Sequence, residues 1–495
     1  MYTEWLKVYQ REGEPENRAL AGRWVESVAC YSQAALRGLR HNTEGFLAYD
    51  GTDILKDRPR IADWLRWHMY ALVTPMRPPD GYPYVFSPPI GAHAREALFA
   101  LGRAGETDVA RATKWEFHGL LYDYARLLEA SWPDLAAELK YCLTKGREGH
   151  NPHLESALFR DYGAILRHDF AGPHEAYVGV QQIGAQTYTL PGYRSSGSMN
   201  YRWGGSTNGT IYYAAKEKIW SWNDYEANGD RIEINRLPVF EVEGRALGVH
   251  ATDGVLYNFG DVQFYRANGS NPAYRSRDVL LVSDDYLALR DHVVGKTAGK
   301  FHWENPIGEM PAIHAVRNGP GDNLHVVEPR VEPTYAVAAT VFGAQLIKSG
   351  RTEYLCMTEA EVNFANDEFM FRGRTGFARQ GVLALFEGQA ISFSGFKLEI
   401  VDGDFGASVK LGANVIQGRL AGRRGGMLRI TPPQEFSIAG KEVQVDGRTV
   451  PFQTDGKTFL FEVRISAGDG YKIFRIADSG ARPDVPPPHP PLTLR

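Results

Sequence analysis

Two hydrophobic rhythms divide the chain near residue 156. Before it, apolar residues recur at helical spacing. Trp24, Val28, Tyr31, Ala35 and Leu39 share one face of the segment 18–39. Asp63 precedes a short aromatic helix with Trp64, Trp67 and Tyr70, and a further helix is expected from His93 to Leu101. Thr107 or Asp108 can cap a long run through Val109, Trp115, Tyr122 and Leu128. Pro133 suits the first position of a helix reaching about Thr144. Pro- and Gly-containing links join these segments, as in Pro78-Pro79-Asp80-Gly81, so the helices are expected to stack as antiparallel pairs.

After residue 156, strands take over until about 478. Val279-Leu280-Leu281-Val282 and Tyr286-Leu287-Ala288-Leu289 flank a Ser-Asp-Asp turn. Val382 to Phe386 leads through Glu387-Gly388 into an alternating run from Ile391 to Ile400, and Val443 and Val445 enter the hairpin signal Asp446-Gly447. Strands do not alternate with helices, which argues against a parallel sheet and for a large antiparallel β-sandwich. The expected organisation is a helical domain over 1–155, a sandwich over 156–405, a small β-module over 406–478 entered through a composition shift at Gly406–Gly412, and a Pro-rich tail over 479–495.

At 495 residues, a multidomain body is expected. The 55 basic and 59 acidic side chains give a net charge of −4, which argues against a nucleic-acid partner. No apolar run of about 20 residues offers a membrane span. The first residues do not read as a leader, so the expected compartment is cytoplasmic, or periplasmic or secreted if a leader lies upstream. Three dispersed cysteines, Cys30, Cys142 and Cys356, suit neither a disulfide framework nor a cysteine metal site. In His150-Asn151-Pro152-His153, the proline prevents a helix from aligning the two histidines on a metal.

Three clusters carry candidate chemistry. Asn42 to Gly51, read as a turn between helices, holds Glu44, Tyr49 and Asp50. A tyrosine and a carboxylate there can serve as acid, base or sugar ligand, or simply as turn and packing groups. The second cluster is Tyr82, Tyr84, His93 and Arg95, in which arginine suits an acidic sugar. The third gathers Tyr193, Arg194, Tyr201, Arg202 and Trp203 around the Gly/Ser-rich loop at Ser195–Ser198, a concentration better explained by ligand contact than by core packing.

Several stretches resemble the heparinase II/III-like polysaccharide lyases: Phe159 to Arg167, Gly209 to Lys216, Arg277 to Val293, and Asp322-Asn323-Leu324-His325 after the turn Asn318-Gly319-Pro320-Gly321. Glu44-Gly45 with Tyr49, and Pro79-Asp80-Gly81 with Ile90-Gly91, are similar to helical segments of that family. The resemblance implies an incomplete α/α toroid followed by the sandwich, and cleavage of uronate-containing glycans by β-elimination without a cofactor. It places Tyr49 at the catalytic tyrosine and Tyr201 near the catalytic histidine, with Arg202 beside it. The implied partner is an acidic polysaccharide or oligosaccharide. The family's zinc-ligand positions hold Trp203, Asn223 and Leu237-Pro238 here, so no metal is expected. Two alternatives stay open. One is a glycoside hydrolase using acids among Glu44, Asp50, Asp224 and Glu226. The other is non-catalytic glycan binding on Trp203, Trp220, Trp222 and the tyrosines.

Overall fold

The computed structural model describes residues 33–56, scattered positions over 62–85, 120–181 and 189–194 with gaps, 209–221 except 210, and 240–479 with short gaps. Helix α1 is Gln33–Asp50 and α2 is Pro133–Thr144, with further helical residues over 120–128. Proline opens α2 as its position demands, and Ala136 donates its backbone N–H to the Trp132 carbonyl across the first turn. These helical elements are too few to trace the toroid that the resemblance implies. Among the described residues no helix is long and apolar enough to cross a membrane.

Among the described residues three large antiparallel sheets follow, beside a three-stranded one of Phe240–Val242, Arg245–Ala246 and Lys300–Phe301. The first is β1 Ala157–Phe159, β2 Gly163–His168, β3 Ala176–Gln181, β4 Ile211–Ala215 and β5 Lys218–Ser221, in chain order. The second contains β6 Val249–Phe259, β7 Val262–Asn271, β8 Tyr274–Val282, β9 Tyr286–Val293, β10 Ala312–Gly319 and β11 Asp322–Glu328, in the order β6-β7-β8-β9-β11-β10.

The third sheet has twelve strands. It begins with β12 Ala336–Thr340, β13 Gly343–Lys348, β14 Arg351–Ala365, β15 Phe369–Arg379, β16 Val382–Phe393, β17 Phe396–Leu411 and β18 Ile416–Thr431. It ends with β19 Lys441–Val445, β20 Arg448–Val450, β21 Phe452–Gln453, β22 Phe459–Ser466 and β23 Tyr471–Asp478. The long strand β18 pairs with β23 through its first half and with β22 through its second.

The period-2 alternation of side chains sorts the cores. Leu39, Leu128 and Leu139 from the helices pack on Ile165, Tyr177 and Tyr212 of the first sheet. The opposite face of that sheet, with Leu166, Val178 and Tyr213, meets Val279, Leu281, Leu287 and Leu289 of the second. The other face of the second sheet, with Leu280, Val282, Tyr286 and Ala288, meets Leu355, Phe377, Ala384 and Phe386 of the third. Every residue of β9 is buried. A strand covered on both faces needs no polar alternation, which accounts for the unbroken apolar runs of the β8–β9 hairpin. The remaining apolar face of the third sheet folds back on its own distal half, joining Phe371, Leu385 and Leu428 to Phe461 and Phe474.

The composition shift near 406 falls inside β17, which pairs on either side of that position with both β16 and β18. The glycines there serve a bend in the sheet. Residues 42–50 belong to the last turns of α1, not to a turn between helices. Thr43 returns its hydroxyl to the Leu39 carbonyl at 2.9 Å, and the chain leaves the helix through Gly51 at φ +77°. Trp220, a candidate stacking ring, is a core residue whose indole donates to the Ala215 carbonyl at 2.9 Å. Ser283-Asp284-Asp285 is the expected hairpin turn, with Ser283 at φ +47°.

Candidate functional site

Helix α1 presents the first cluster. Leu39 and Thr43 face inward, so residues about one turn on return to the same side while Tyr49 points away. Tyr49 is 88% exposed at the C-terminal end of the helix. Glu44 accepts from Arg40 at 2.9 Å, one turn earlier, and Arg40 also pairs with Asp123. Asp50 accepts from the Thr52 backbone N–H at 2.9 Å and is held below the usual carboxylate range by that residue.

Of the second cluster, Tyr84 lies in the short strand Tyr84–Val85, paired with Leu72–Val73. Of the third, Tyr193 and Arg194 form a strand paired with Thr189–Leu190. Tyr82, His93, Arg95, Tyr201, Arg202 and Trp203 lie outside the described residues, as do Asn223, Asp224, Glu226 and Leu237. The structure therefore brings Glu44 and Tyr49 onto one helix. Among the described residues no three His, Cys, Asp or Glu side chains are grouped to hold a metal. Cys142 and Cys356 are buried thiols, and burial pushes both well up in pKa.

Strands β8 and β9 carry a buried charge network that the sequence reading did not single out. The β8–β9 register sets Arg277 opposite Asp291 and Asp278 opposite Arg290. Arg277 grips Asp291 with two bonds, at 2.7 and 2.9 Å, and donates a third to the Gly209 carbonyl. Tyr274 also donates to Asp291. Burial opposes the Arg277 charge, but Asp291 and Tyr274 outweigh it and raise the pKa.

Next to this, Asp278 accepts from Arg266 at 2.6 and 2.7 Å and from Arg290 at 3.3 Å. Burial alone would raise the Asp278 pKa, yet the two arginines hold it down. His325 stacks on Phe301 with centroids 4.0 Å apart and is pushed down to about 4, by burial first and the nearby Arg277 charge in addition. The available signal was Arg277-Asp278 and Arg290-Asp291 set inside otherwise apolar strands. Buried charges persist only when paired.

A cleft of ≈ 1330 Å³ opens elsewhere, between the helical part, β1, β6 and the middle of the third sheet. One wall carries Tyr70, Glu155 and Tyr257, and the other Arg374, Asp404 and Arg423. Arg419 ties the walls together. It pairs with Glu155 at 3.0 Å and lies over the Tyr471 ring, 4.4 Å from its centroid.

No family model and no curated protein matches this sequence. Solved structures do match. Chondroitin AC lyase of Streptomyces coelicolor A3, solved in complex with chondroitin sulphate, is 11% identical over 92% of this chain and 70% of its own, with a TM-score of 0.51. Heparinase III is 12% identical over 96% of this chain, with a TM-score of 0.38. Heparan sulfate lyase HepC of Pedobacter heparinus is 11% identical over 96% of this chain and 71% of its own, at 0.25. The chain spans 57% of the length of heparinase III. The chondroitin AC lyase match shows that this protein has a polysaccharide lyase fold.

Proposed function

We propose that this protein is a polysaccharide lyase acting on uronate-containing glycans, with a helical part related to an incomplete α/α toroid ahead of the sheets. One observation carries the reading: the fold likeness to chondroitin AC lyase extends over 92% of the chain. The exposed Tyr49, at the end of a helix, supports it.

In this reading, Arg202 and Arg194 pair with the substrate carboxylate and draw charge away from C5, which makes the adjacent C–H more acidic. Tyr49 takes the C5 proton, and the C4–O bond breaks as the C4–C5 double bond forms. The leaving oxygen receives a proton from Tyr201 or from Tyr49 itself. Tyr82, Tyr84, His93 and Arg95 hold one side of the glycan, and Tyr193 and Trp203 the other. Glu44, engaged by Arg40, helps to set the end of the helix. The engagement of Glu44 and Asp50 also weighs against a hydrolase built on those two acids.

The experiment is an ultraviolet assay for unsaturated uronate across chondroitin, heparan and unsulfated uronate polymers. A rise in absorbance that requires Tyr49 is expected. Products with saturated non-reducing ends would replace elimination by hydrolysis, and an absence of turnover on the whole panel would remove the reading.

A further inference from the structure

The twelve-stranded sheet is creased. Pairing slips occur between Met357 and Val362, between Arg372 and Gly376, between Leu385 and Ala390, and between Ile400 and Phe405. Another follows at Arg424 to Gly426. These fall on the successive strands β14 to β18, so they form one row across the sheet. Glycines occupy the row because backbones meet there: a Cβ on Gly388 would stand 2.8 Å from the Gly373 Cα, and one on Gly422 would stand 2.4 Å from the Phe405 Cα. Bulges swing side chains out of the ordinary pleat. This row delivers Glu361, Arg374, Glu387, Asp404 and Arg423, one from each strand, to the ≈ 1330 Å³ cleft.

We propose that this trough is a non-catalytic saccharide-binding site for a hydroxyl-rich, sparsely charged oligosaccharide. Its volume exceeds the roughly 300–1,000 Å³ of pockets that enclose small molecules. A second hollow of ≈ 530 Å³ shares Arg374 with it, so the two together suit an extended chain. Charge narrows the class. Four arginines face five carboxylates across the lining, a balance that gives no advantage to a densely charged polyanion such as heparin.

Hydrogen-bonding capacity narrows it further. Glu361, Asp404 and Arg423 are exposed, and among the described residues no side chain bonds or pairs with theirs. Carboxylates accept from sugar hydroxyls, and guanidinium groups donate to hydroxyl and ring oxygens. Strands β14 to β18 are paired on both sides, so the row offers no open edge for a peptide strand to extend. Tyr49 is not among the described residues that line this site, and binding there does not require lyase activity.

The test is calorimetric titration of an unsulfated hyaluronan decasaccharide into the Tyr49→Phe protein, with and without Asp404→Ala plus Arg423→Ala. Binding should weaken by about tenfold or more in the double variant, with the melting temperature unchanged. Glu361→Gln, which preserves shape, should weaken it in the same direction and serves if the double variant does not fold. Equal binding by parent and variants, or no binding by the parent, overturns the proposal. So does a heparin decasaccharide that binds about tenfold more tightly than hyaluronan, which would mark a polyanion surface. Elimination is read separately on the parent protein, so its failure leaves this outcome standing.

Discussion

Arg277 on β8 donates a hydrogen bond to the carbonyl of Gly209, two residues before β4 begins. Gly209 sits at φ +94°, a conformation in which a side chain is strained. The Arg277–Asp291 pair thus fixes the point where the chain returns to the first sheet after the Gly/Ser-rich stretch. The anchor is built from the second sheet, so the two layers set the position of that return together.

Arg277→Ala leaves Asp291 buried without its cation. Breaking a buried pair in this way costs about 3–5 kcal/mol. Chemical denaturation should show a loss of that size at pH 7. A loss below about 1 kcal/mol would mean that water or another group replaces the guanidinium.

His325 predicts a pH dependence of stability. Its folded pKa is about 4, against an ordinary 6.5. Between those values the unfolded chain holds the proton and the folded chain does not, so folding stability is full above pH 6.5 and falls as pH drops toward 4. The contribution lost is roughly 3 kcal/mol. His292, also pushed down to about 4, by burial and by Arg290 and Arg275, acts in the same direction. His325→Leu should therefore flatten part of the slope over this window without abolishing it, as measured by denaturation at successive pH values.

The crease predicts an unequal cost of glycine replacement. Gly422→Ala drives a Cβ against the Phe405 backbone, and overpacking of this kind costs about 1–3 kcal/mol or more. Gly395 has φ +78° but open space around it, so Gly395→Ala should cost only about 1–2 kcal/mol of backbone strain. Parallel melts of the two variants compare them directly, with Gly422→Ala expected to be the less stable.

Tyr49→Phe removes one exposed hydroxyl and should leave the fold intact. If Tyr49 carries the proton, turnover falls by about 10²–10⁴-fold. Substrate-saturated initial rates measure this. Unchanged rates would transfer the proton-carrying role to another group.

Much of the architecture was legible because it repeats locally. Pro133 marked the start of α2, and the Ser283–Asp285 turn between two apolar runs marked the β8–β9 hairpin. The end of α1 was less legible. Asn42, Thr43 and Gly45 look like breakers, yet the Thr43 hydroxyl bonds back to Leu39, and the Arg40–Glu44 pair spans one helical turn. The change at 406 looked like a module boundary because a linker and a bent sheet draw on the same glycines. The trough had no local signature at all. The five charged residues of the bulged row come one from each of five strands, and only the alignment of the bulges brings them together.

The second sheet has no free side, and this bears on how such a protein can be inherited. A chain ended after Glu328 would open Leu280, Val282, Tyr286 and Ala288 to water, and the separated twelve-stranded sheet would carry the matching bare surface. Neither piece is a cassette that recombination can move into a new host gene and still deliver in soluble form. The two sheets therefore stand or fall together as one folding unit.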